Sequence, residues 1–171
     1  ELFTTADAAL HRAKESGGNK THVFRAEDRV LEGMHSKLKQ KDHVLKALQA
    51  KRFEPWFQPI VDLRTGETHH YEVLARMRGE DGSVILPAFF IDVAEKFGII
   101  GEVDKVITGM AVDVLSEMNR KGKTCTFCMN LSGNNFSDEE FFLFLREKIA
   151  GGNIKSGQIV FEITETAAVH D

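Results

Sequence analysis

Apolar residues recur every three or four positions in the first third of the chain, which is the spacing of amphipathic helices. A helix is predicted over Thr5–Ser16, with Thr5 as its N-cap and a pair of glycines after its end. A short strand is expected at Thr21–Phe24. A second, long helix is predicted over residues 26–51, where the chain has one glycine and no proline. The apolar positions of this long helix are Leu31, Met34, Leu38, Leu45 and Leu48.

Lys41 interrupts the apolar series of the long helix, where a continuous coiled coil would need an apolar residue. We therefore expect this helix to pack against a neighbouring domain or a second copy of the chain, rather than to form a strong coiled coil by itself. Residues 37–52 are basic, with Asp42 as the only acid, which is typical of a solvated helix face. A nucleic-acid polymer is not expected as a partner.

After Arg52 the pattern alternates between short runs of period two and longer runs of helical period. This alternation predicts a mainly parallel sheet covered by helices, an α/β fold. The four residues from Leu63 to Gly66 are too few for a crossover, so the first two strands are expected to be antiparallel. The predicted strands are Trp56–Asp62, Glu67–Arg76, Cys125–Leu131 and Gln158–Thr164.

Three helices are predicted between these strands. Pro87 suits the first position of one helix, and Gly122 ends the next. The third is expected to begin at Ser137, where Ser137 and Glu140 form a capping box. The middle helix has a stripe of apolar residues that is expected in the core: Val103, Val106, Ile107, Met110, Ala111, Val114, Leu115 and Met118.

The composition is that of a soluble globular protein, with 171 residues, a hydrophobic fraction of 42% and a net charge of −4. The apolar runs are far shorter than the roughly 20 residues of a transmembrane helix, and no N-terminal leader is recognisable. A cytoplasmic location is expected, with any membrane attachment of the parent protein lying outside this chain.

Cys125 and Cys128 have the C-x-x-C spacing of redox and metal sites. On a strand, however, residues three apart point to opposite faces, so these two thiols are poorly placed to bind one ion. We expect both to be buried structural thiols.

Three of the predicted strands each place a polar group on one face of the sheet. On the second strand, Glu72 and Arg76 share a face. On the third strand Asn130 shares a face with Cys128, and on the fourth strand the corresponding group is Glu162. Two carboxylates and an amide are therefore expected to converge from neighbouring strands.

A carboxylate buried in an apolar strand is costly unless it is paired or binds a cation. Oxygen ligands of this kind suit Mg²⁺ or Mn²⁺ rather than zinc. A single buried Glu is as often a structural ion-pair partner as a ligand, and Arg76 is an alternative partner for Glu72. The convergence of three such groups favours a metal site.

Five segments of the chain resemble the EAL family of cyclic-di-GMP phosphodiesterases, in the order and spacing of that family. The motif that names the family reads Glu72-Val73-Leu74, with Val in place of Ala. Because Val73 is expected to face the helices, the change should affect the chemistry little. The five segments are FQPIVDLRTG at Phe57–Gly66, YEVLAR at Tyr71–Arg76, PAFFIDVAE at Pro87–Glu95, NLS at Asn130–Ser132 and FEITET at Phe161–Thr166.

The resemblance implies the N-terminal half of an EAL-type (βα)8 TIM-like barrel with an antiparallel first strand, preceded by a long linker helix. It also implies hydrolysis of cyclic-di-GMP to linear pGpG at a two-metal site holding Mg²⁺ or Mn²⁺. By position, Glu72, Asn130 and Glu162 are implied as metal ligands and catalytic residues. Gln58 and Arg76 are implied as substrate contacts, Arg76 through a phosphate oxygen.

The sequence ADAALHRAK at Ala6–Lys14, followed by Gly17–Asn19, resembles the last helix and hairpin of a GGDEF domain, with His11 in place of the usual Tyr. Residues 1–25 are therefore predicted to be the C-terminal remnant of a GGDEF domain. A linker helix is predicted at 26–52 and the N-terminal half of an EAL domain at 53–171. Together they imply a bacterial signalling protein with tandem GGDEF and EAL domains.

A barrel of this class takes about 250 residues, and the EAL-like region covers roughly half of that. The paired aspartates, the lysine and the late Glu and Gln motifs of the family would follow Asp171, so we expect the chain alone not to hydrolyse the nucleotide. For the intact protein, a phosphodiesterase is the first hypothesis. The alternatives are a non-catalytic cyclic-di-GMP receptor and a regulatory module that forms homodimers through the long helix.

Overall fold

The computed structural model describes residues 2–15, 17–136 and 138–163 of the chain. The chain folds into two compact units, residues 1–43 and 44–171. No helix within the described ranges is both long enough and apolar enough to cross a membrane.

The first unit contains helix α1, Leu2–Glu15, and the start of helix α2, Ala26–Gln49. The predicted N-cap Thr5 is wrong, because α1 begins at Leu2 and Thr5 lies inside it. Gly17 has a φ of +102°, a conformation that glycine adopts without strain, and it follows the end of the helix as predicted. The strand predicted at Thr21–Phe24 is wrong: these residues have no regular secondary structure, since a strand needs a hydrogen-bonded neighbour.

The second unit contains a five-stranded sheet with the order β1-β2-β4-β5, in which β3 also pairs with β2. Strands β1 and β2 are antiparallel, whereas β2, β4 and β5 are parallel, as predicted. The short β3, Val84–Ile85, was not predicted from the sequence. The other strands are β1, Phe53–Val61; β2, Thr68–Arg78; β4, Thr126–Leu131; and β5, Ile159–Ile163.

The turn between β1 and β2 explains why these strands are antiparallel. Asp62 Oδ1 accepts a hydrogen bond from the backbone N–H of Arg64 at 2.8 Å, and the N–H of Gly66 donates to the Asp62 carbonyl at 2.8 Å. Gly66 has a φ of +72°, which a residue with a side chain adopts only with strain. The chain therefore reverses direction within a few residues.

Helices cover one face of the sheet. Pro87 occupies the first turn of a short 3₁₀ helix, Pro87–Phe89, as expected. The N-cap of the last helix is Asp138 rather than Ser137: its Oδ1 accepts from the N–H of Glu140 at 2.9 Å. Ser137 itself lies outside the described residues. The helices are α3, Ile91–Lys96; α4, Ile100–Arg120; α5, Gly133–Phe136; and α6, Glu139–Gly151.

The main core lies between the sheet and α4. Much of the predicted stripe of α4 is buried there, but Met110 and Val114 are 40% and 37% exposed. The stripe is too broad for the sheet to cover completely, and these two residues instead line a shallow groove with β1. The core side chains from the strands and from α4 include Phe53, Val73, Phe127, Met129, Val103, Ile107, Ala111 and Leu115.

Candidate active site

The two faces of the sheet differ sharply in character, as the alternation of residues predicted. Val73, Phe127 and Met129 point into the helix-covered core. The residues that alternate with them, including Glu72 and Asn130, therefore lie on the opposite face. This second face carries the polar side chains and is called the polar face below.

The structure brings Glu72, Asn130 and Glu162 together on the polar face. Glu72 on β2 lies directly opposite Cys128 on β4, and Asn130 on β4 lies directly opposite Glu162 on β5. The Asn130 side-chain amide donates to Glu72 Oε1 at 3.3 Å. Asn130 thus joins the two carboxylate-bearing strands, and the predicted convergence is present.

The expected burial of these carboxylates is wrong. Glu72 is half-buried, and Asn130 and Glu162 are exposed. Apolar side chains also remain accessible on this face, such as Trp56 at 44% and Val160 at 42%. The described residues leave the polar face open to solvent, so desolvation does not force either Glu to find a partner.

The pKa of the Cys128 thiol reflects the charges on the polar face. Burial raises its pKa, and the negative charges of Glu162 and then Glu72 raise it further. Both carboxylates therefore direct negative potential to the same place. Cys125 lies on the other side of the strand, with its Sγ 3.7 Å from Met118 Sδ, and burial raises its pKa as well. The two thiols are free and buried on opposite faces, which confirms the structural role predicted for them.

Arg76 does not pair with Glu72, which was the alternative role considered for it. Its Nη1 donates to the Ala75 carbonyl at 2.8 Å, and its guanidinium lies over the Trp56 ring at 5.3 Å from the ring centre. Its Nε is buried and has no acceptor among the described residues. Arg76 is therefore a cation that pairs with no carboxylate among the described residues.

Gln58, the other predicted substrate contact, is exposed on β1 directly opposite Glu72. It belongs to the polar face by the same alternation, since Phe57 beside it packs on the core. The structure therefore places all five predicted site residues on one face: Gln58, Glu72, Arg76, Asn130 and Glu162.

Asp104 on α4 is a polar residue near the site that the sequence interpretation missed. Its Oδ2 accepts from the backbone N–H of Ser132 at 2.9 Å and from Asn135 Nδ2 at 3.3 Å. Burial raises its pKa, and these hydrogen bonds oppose the shift only in part. The sequence signal for Asp104 was its position directly after Val103, which belongs to the apolar stripe of α4.

A cavity of about 260 Å³ lies beside Asp104 at the ends of β2 and β4. It is lined mainly by apolar side chains, together with Asn130 and Ser132. The Ser132 hydroxyl is buried and has no hydrogen-bond partner among the described residues. The cavity therefore adjoins the polar face at Asn130.

The side chains that could bind a metal ion on the polar face are two carboxylates and an amide. Across the ranges that the structure describes, no group of three or more His, Cys, Asp or Glu side chains is placed to hold an ion. A site here would need the Asn130 amide oxygen as a ligand, because the described carboxylates alone are too few.

Comparison with known proteins identifies relatives of this chain. The family model of the EAL domain matches residues 41–171. The cyclic di-GMP phosphodiesterase PdeB of Shewanella oneidensis is 30% identical over 172 residues, covering 100% of this chain and 20% of PdeB. The chain thus spans about a fifth of this curated relative.

Solved structures share the fold. The FimX EAL domain of Xanthomonas citri in complex with c-diGMP has a TM-score of 0.71 at 20% identity, covering 80% of this chain and 53% of that one. The Pseudomonas aeruginosa FimX EAL domain bound to c-di-GMP has a TM-score of 0.66 at 25% identity, covering 75% and 51%. With the family model matching most of its length, the chain belongs to the EAL domain family.

Proposed function

We propose that the protein containing this chain is a cyclic-di-GMP phosphodiesterase, which hydrolyses the cyclic dinucleotide to linear pGpG. The observation that supports this most directly is the hydrogen bond of 3.3 Å between Asn130 and Glu72, with Glu162 directly opposite Asn130. It gathers three oxygen-bearing side chains from three neighbouring strands. Homology to a named phosphodiesterase supports the choice of reaction.

The residues present fit a divalent cation of the Mg²⁺ or Mn²⁺ type. Glu72, Asn130 and Glu162 offer only oxygen atoms for coordination, once the Asn130 amide turns its oxygen inward. After burial, which is the main cause of the raised pKa of Cys128, the charges of Glu162 and Glu72 both raise it further, which supports a common focus of negative charge between the two carboxylates. When bound, such an ion would lower the pKa of a water molecule and offset the charge of the phosphodiester.

Arg76 is the proposed contact for a phosphate oxygen of the substrate. Its buried Nε has no acceptor within the described part of the chain, and a buried donor without a partner is energetically costly. Once the side chain turns to expose this Nε, a phosphate oxygen would satisfy it through a charge-assisted hydrogen bond. Gln58, exposed across from Glu72, would add a neutral donor and acceptor beside the same ligand.

A second candidate function is a receptor that binds cyclic-di-GMP without cleaving it. Arg76 favours it, since a guanidinium over the Trp56 ring can contact a phosphate oxygen whether or not a metal ion is bound at Glu72 and Glu162. We infer that this chain alone binds the nucleotide but does not turn it over.

Titration of cyclic-di-GMP with and without Mn²⁺ distinguishes the two functions. Binding heat and linear product are measured for this chain and for the full-length protein. Hydrolysis by the full-length protein that is lost in Glu72→Ala, but kept in Glu147→Ala on the exposed side of α6, supports the phosphodiesterase. Binding without product supports the receptor, and absence of binding by both proteins refutes both functions.

The tandem GGDEF and EAL arrangement is also part of the proposal, with residues 1–25 as the GGDEF remnant and 26–52 as the linker. Its support is the sequence resemblance and the continuous helix α2, Ala26–Gln49. Exposure of Met34 and Leu38, at 55% and 45%, supports a homodimer formed through this helix.

A further inference from the structure

Four side chains form a connected group on the polar face where β1 and β2 pair. Glu54 and Trp56 belong to β1, and Arg76 and Arg78 belong to β2. Glu54 lies directly opposite Arg76 in the antiparallel register. Oppositely charged residues in such cross-strand positions normally attract each other, so an ion pair between Glu54 and Arg76 would be the simplest expectation.

Glu54 instead binds two other side chains. Arg78 Nη2 lies 2.8 Å from Glu54 Oε1, and Trp56 Nε1 donates to the same oxygen at 2.7 Å. The hydrogen bond from Arg78, followed by that from Trp56, lowers the pKa of Glu54. Glu54 is therefore ionised and already engaged.

Arg76 is left without a carboxylate partner among the described residues. Its guanidinium lies over the face of Trp56, whose indole N–H is directed to Glu54. A cation over an aromatic ring is attracted by the ring but keeps its N–H groups available for an acceptor. The Nε of Arg76 has no acceptor among the described residues, and it becomes accessible to a ligand when the side chain turns.

We propose that Arg78 and Trp56 are positioning residues that hold Glu54 away from Arg76, and thereby keep Arg76 available for a phosphodiester anion. The inference rests on the proposed role of Arg76 as a phosphate contact. According to this inference, Glu54 and the nucleotide compete for Arg76. Without Arg78, Glu54 turns to Arg76, which lies directly opposite it, and the nucleotide must then displace the Glu54 carboxylate.

If the ion pair between Glu54 and Arg78 only held β1 and β2 together, the substitutions would have different effects. Loss of Arg78 would loosen the strand pair, and neutralising Glu54 as well would not restore the pairing. A general electrostatic effect would differ again, because any nearby acid could be neutralised to compensate for the lost positive charge. Glu80 provides that comparison, since its side chain is 77% exposed and lies 3.7 Å from Arg52 rather than beside Arg76.

The test is a double-mutant cycle read by calorimetric titration of cyclic-di-GMP into the 171-residue chain at low ionic strength. We expect Arg78→Gln to weaken binding by about threefold to tenfold, the scale of a partly exposed ion pair. Glu54→Gln should leave the wild-type affinity unchanged but restore it in the Arg78→Gln background. Glu80→Gln should not restore it, and Arg78→Lys should retain most of the affinity.

A second readout needs no nucleotide. The NMR resonance of the Arg76 Nε–H group should shift in Arg78→Gln and return in the double variant with Glu54→Gln. Unchanged affinity and an unchanged resonance in Arg78→Gln would overturn the inference, as would equal rescue by Glu80→Gln. If the resonance responds as expected but neither the wild-type chain nor any variant binds the nucleotide, then the arrangement of Glu54 is correct and the proposed function is wrong.

Discussion

The Asn130 side-chain amide donates to Glu72 Oε1 at 3.3 Å and so connects the middle strand β4 to β2. On its other side Asn130 faces Glu162 across the β4–β5 pair. An amide has both a donor and an acceptor, so Asn130 can separate two carboxylates when no cation is bound and offer its oxygen when one is. We therefore expect the proposed metal site to depend on Asn130.

Asn130→Ala should therefore reduce Mn²⁺ affinity by about tenfold or more, since altering even a group that only supports a metal ligand commonly costs that much. Because Asn130 is exposed, the substitution should leave the free energy of unfolding nearly unchanged. Mn²⁺ binding is measured by electron paramagnetic resonance, with Thr126→Ala at the start of the same strand as the control. Equal Mn²⁺ affinity in wild type and Asn130→Ala would remove Asn130 from the site.

Much of this site follows from the period of two along the strands. Alternation assigns Glu72 and Val73 to opposite faces, and the four-residue turn makes β1 and β2 antiparallel. These features are local, and the structure confirms them. The parallel order of β2, β4 and β5 follows from the helices between them, because each connection is long enough for a crossover.

Other features depend on competition between distant residues, and no local pattern predicts them. Arg76 was considered as a partner for Glu72, yet it lies over Trp56, and its cross-strand neighbour Glu54 binds Arg78. Burial of Glu72 depends on what covers the polar face, which alternation does not specify. For the same reason the sequence did not predict that Asp104 would be buried against the backbone of Ser132.

Gln158 lies at the opposite end of β5 from the candidate site, where we expect it to stabilise the fold. It is 4% exposed, and its amide forms a reciprocal pair with that of Asn119, at 2.8 and 2.9 Å. Its Nε2 also donates to the Cys125 carbonyl at 3.1 Å. Gln158→Ala removes a partner from the half-buried Asn119 amide and from the carbonyl of the buried Cys125, so the free energy of unfolding should fall by about 2–3 kcal/mol.

Urea denaturation of the 171-residue chain measures this change, with the exposed Gln49→Ala as the control. Since Gln158 immediately precedes β5, the variant should also loosen the strand that carries Glu162. Amide hydrogen exchange of residues 159–163 should therefore become faster. A loss of stability no larger than that of Gln49→Ala would show that the amide pair contributes little.

Asp104 should make stability depend on pH. Burial raises its pKa in the folded state above the usual 3.8, so the folded chain binds a proton that the unfolded chain has already released. As pH rises from 3.8 through the raised value, the free energy of unfolding should fall, and it should level off above it. The Asp104→Asn variant has no titratable group at this position, so it lacks this contribution to the pH dependence.

The informative quantity is the difference in unfolding free energy between wild type and Asp104→Asn, measured in urea from about pH 3.5 to about pH 7.5. Carboxyls with lowered pKa values, such as Glu54 and Asp62, affect both proteins equally and cancel. Wild type should lose stability relative to the variant as pH rises. A difference that grows in favour of wild type would mean that the hydrogen bonds from Ser132 and Asn135 outweigh burial.

Leu38 tests whether helix α2 mediates self-association. Its side chain is 45% exposed and Met34, one turn earlier, is 55% exposed, whereas Val44 and Ala47 further along the helix are buried. Two exposed apolar residues at a spacing of four form a stripe that a second copy of the helix can cover.

Sedimentation velocity of the chain should show a concentration-dependent dimer that Leu38→Asp abolishes. Ser36→Asp adds the same charge to the exposed surface of the same helix and should leave the dimer intact. If both variants dissociate, general charge repulsion explains the effect; if wild type is monomeric at every concentration, α2 does not pair with a second copy.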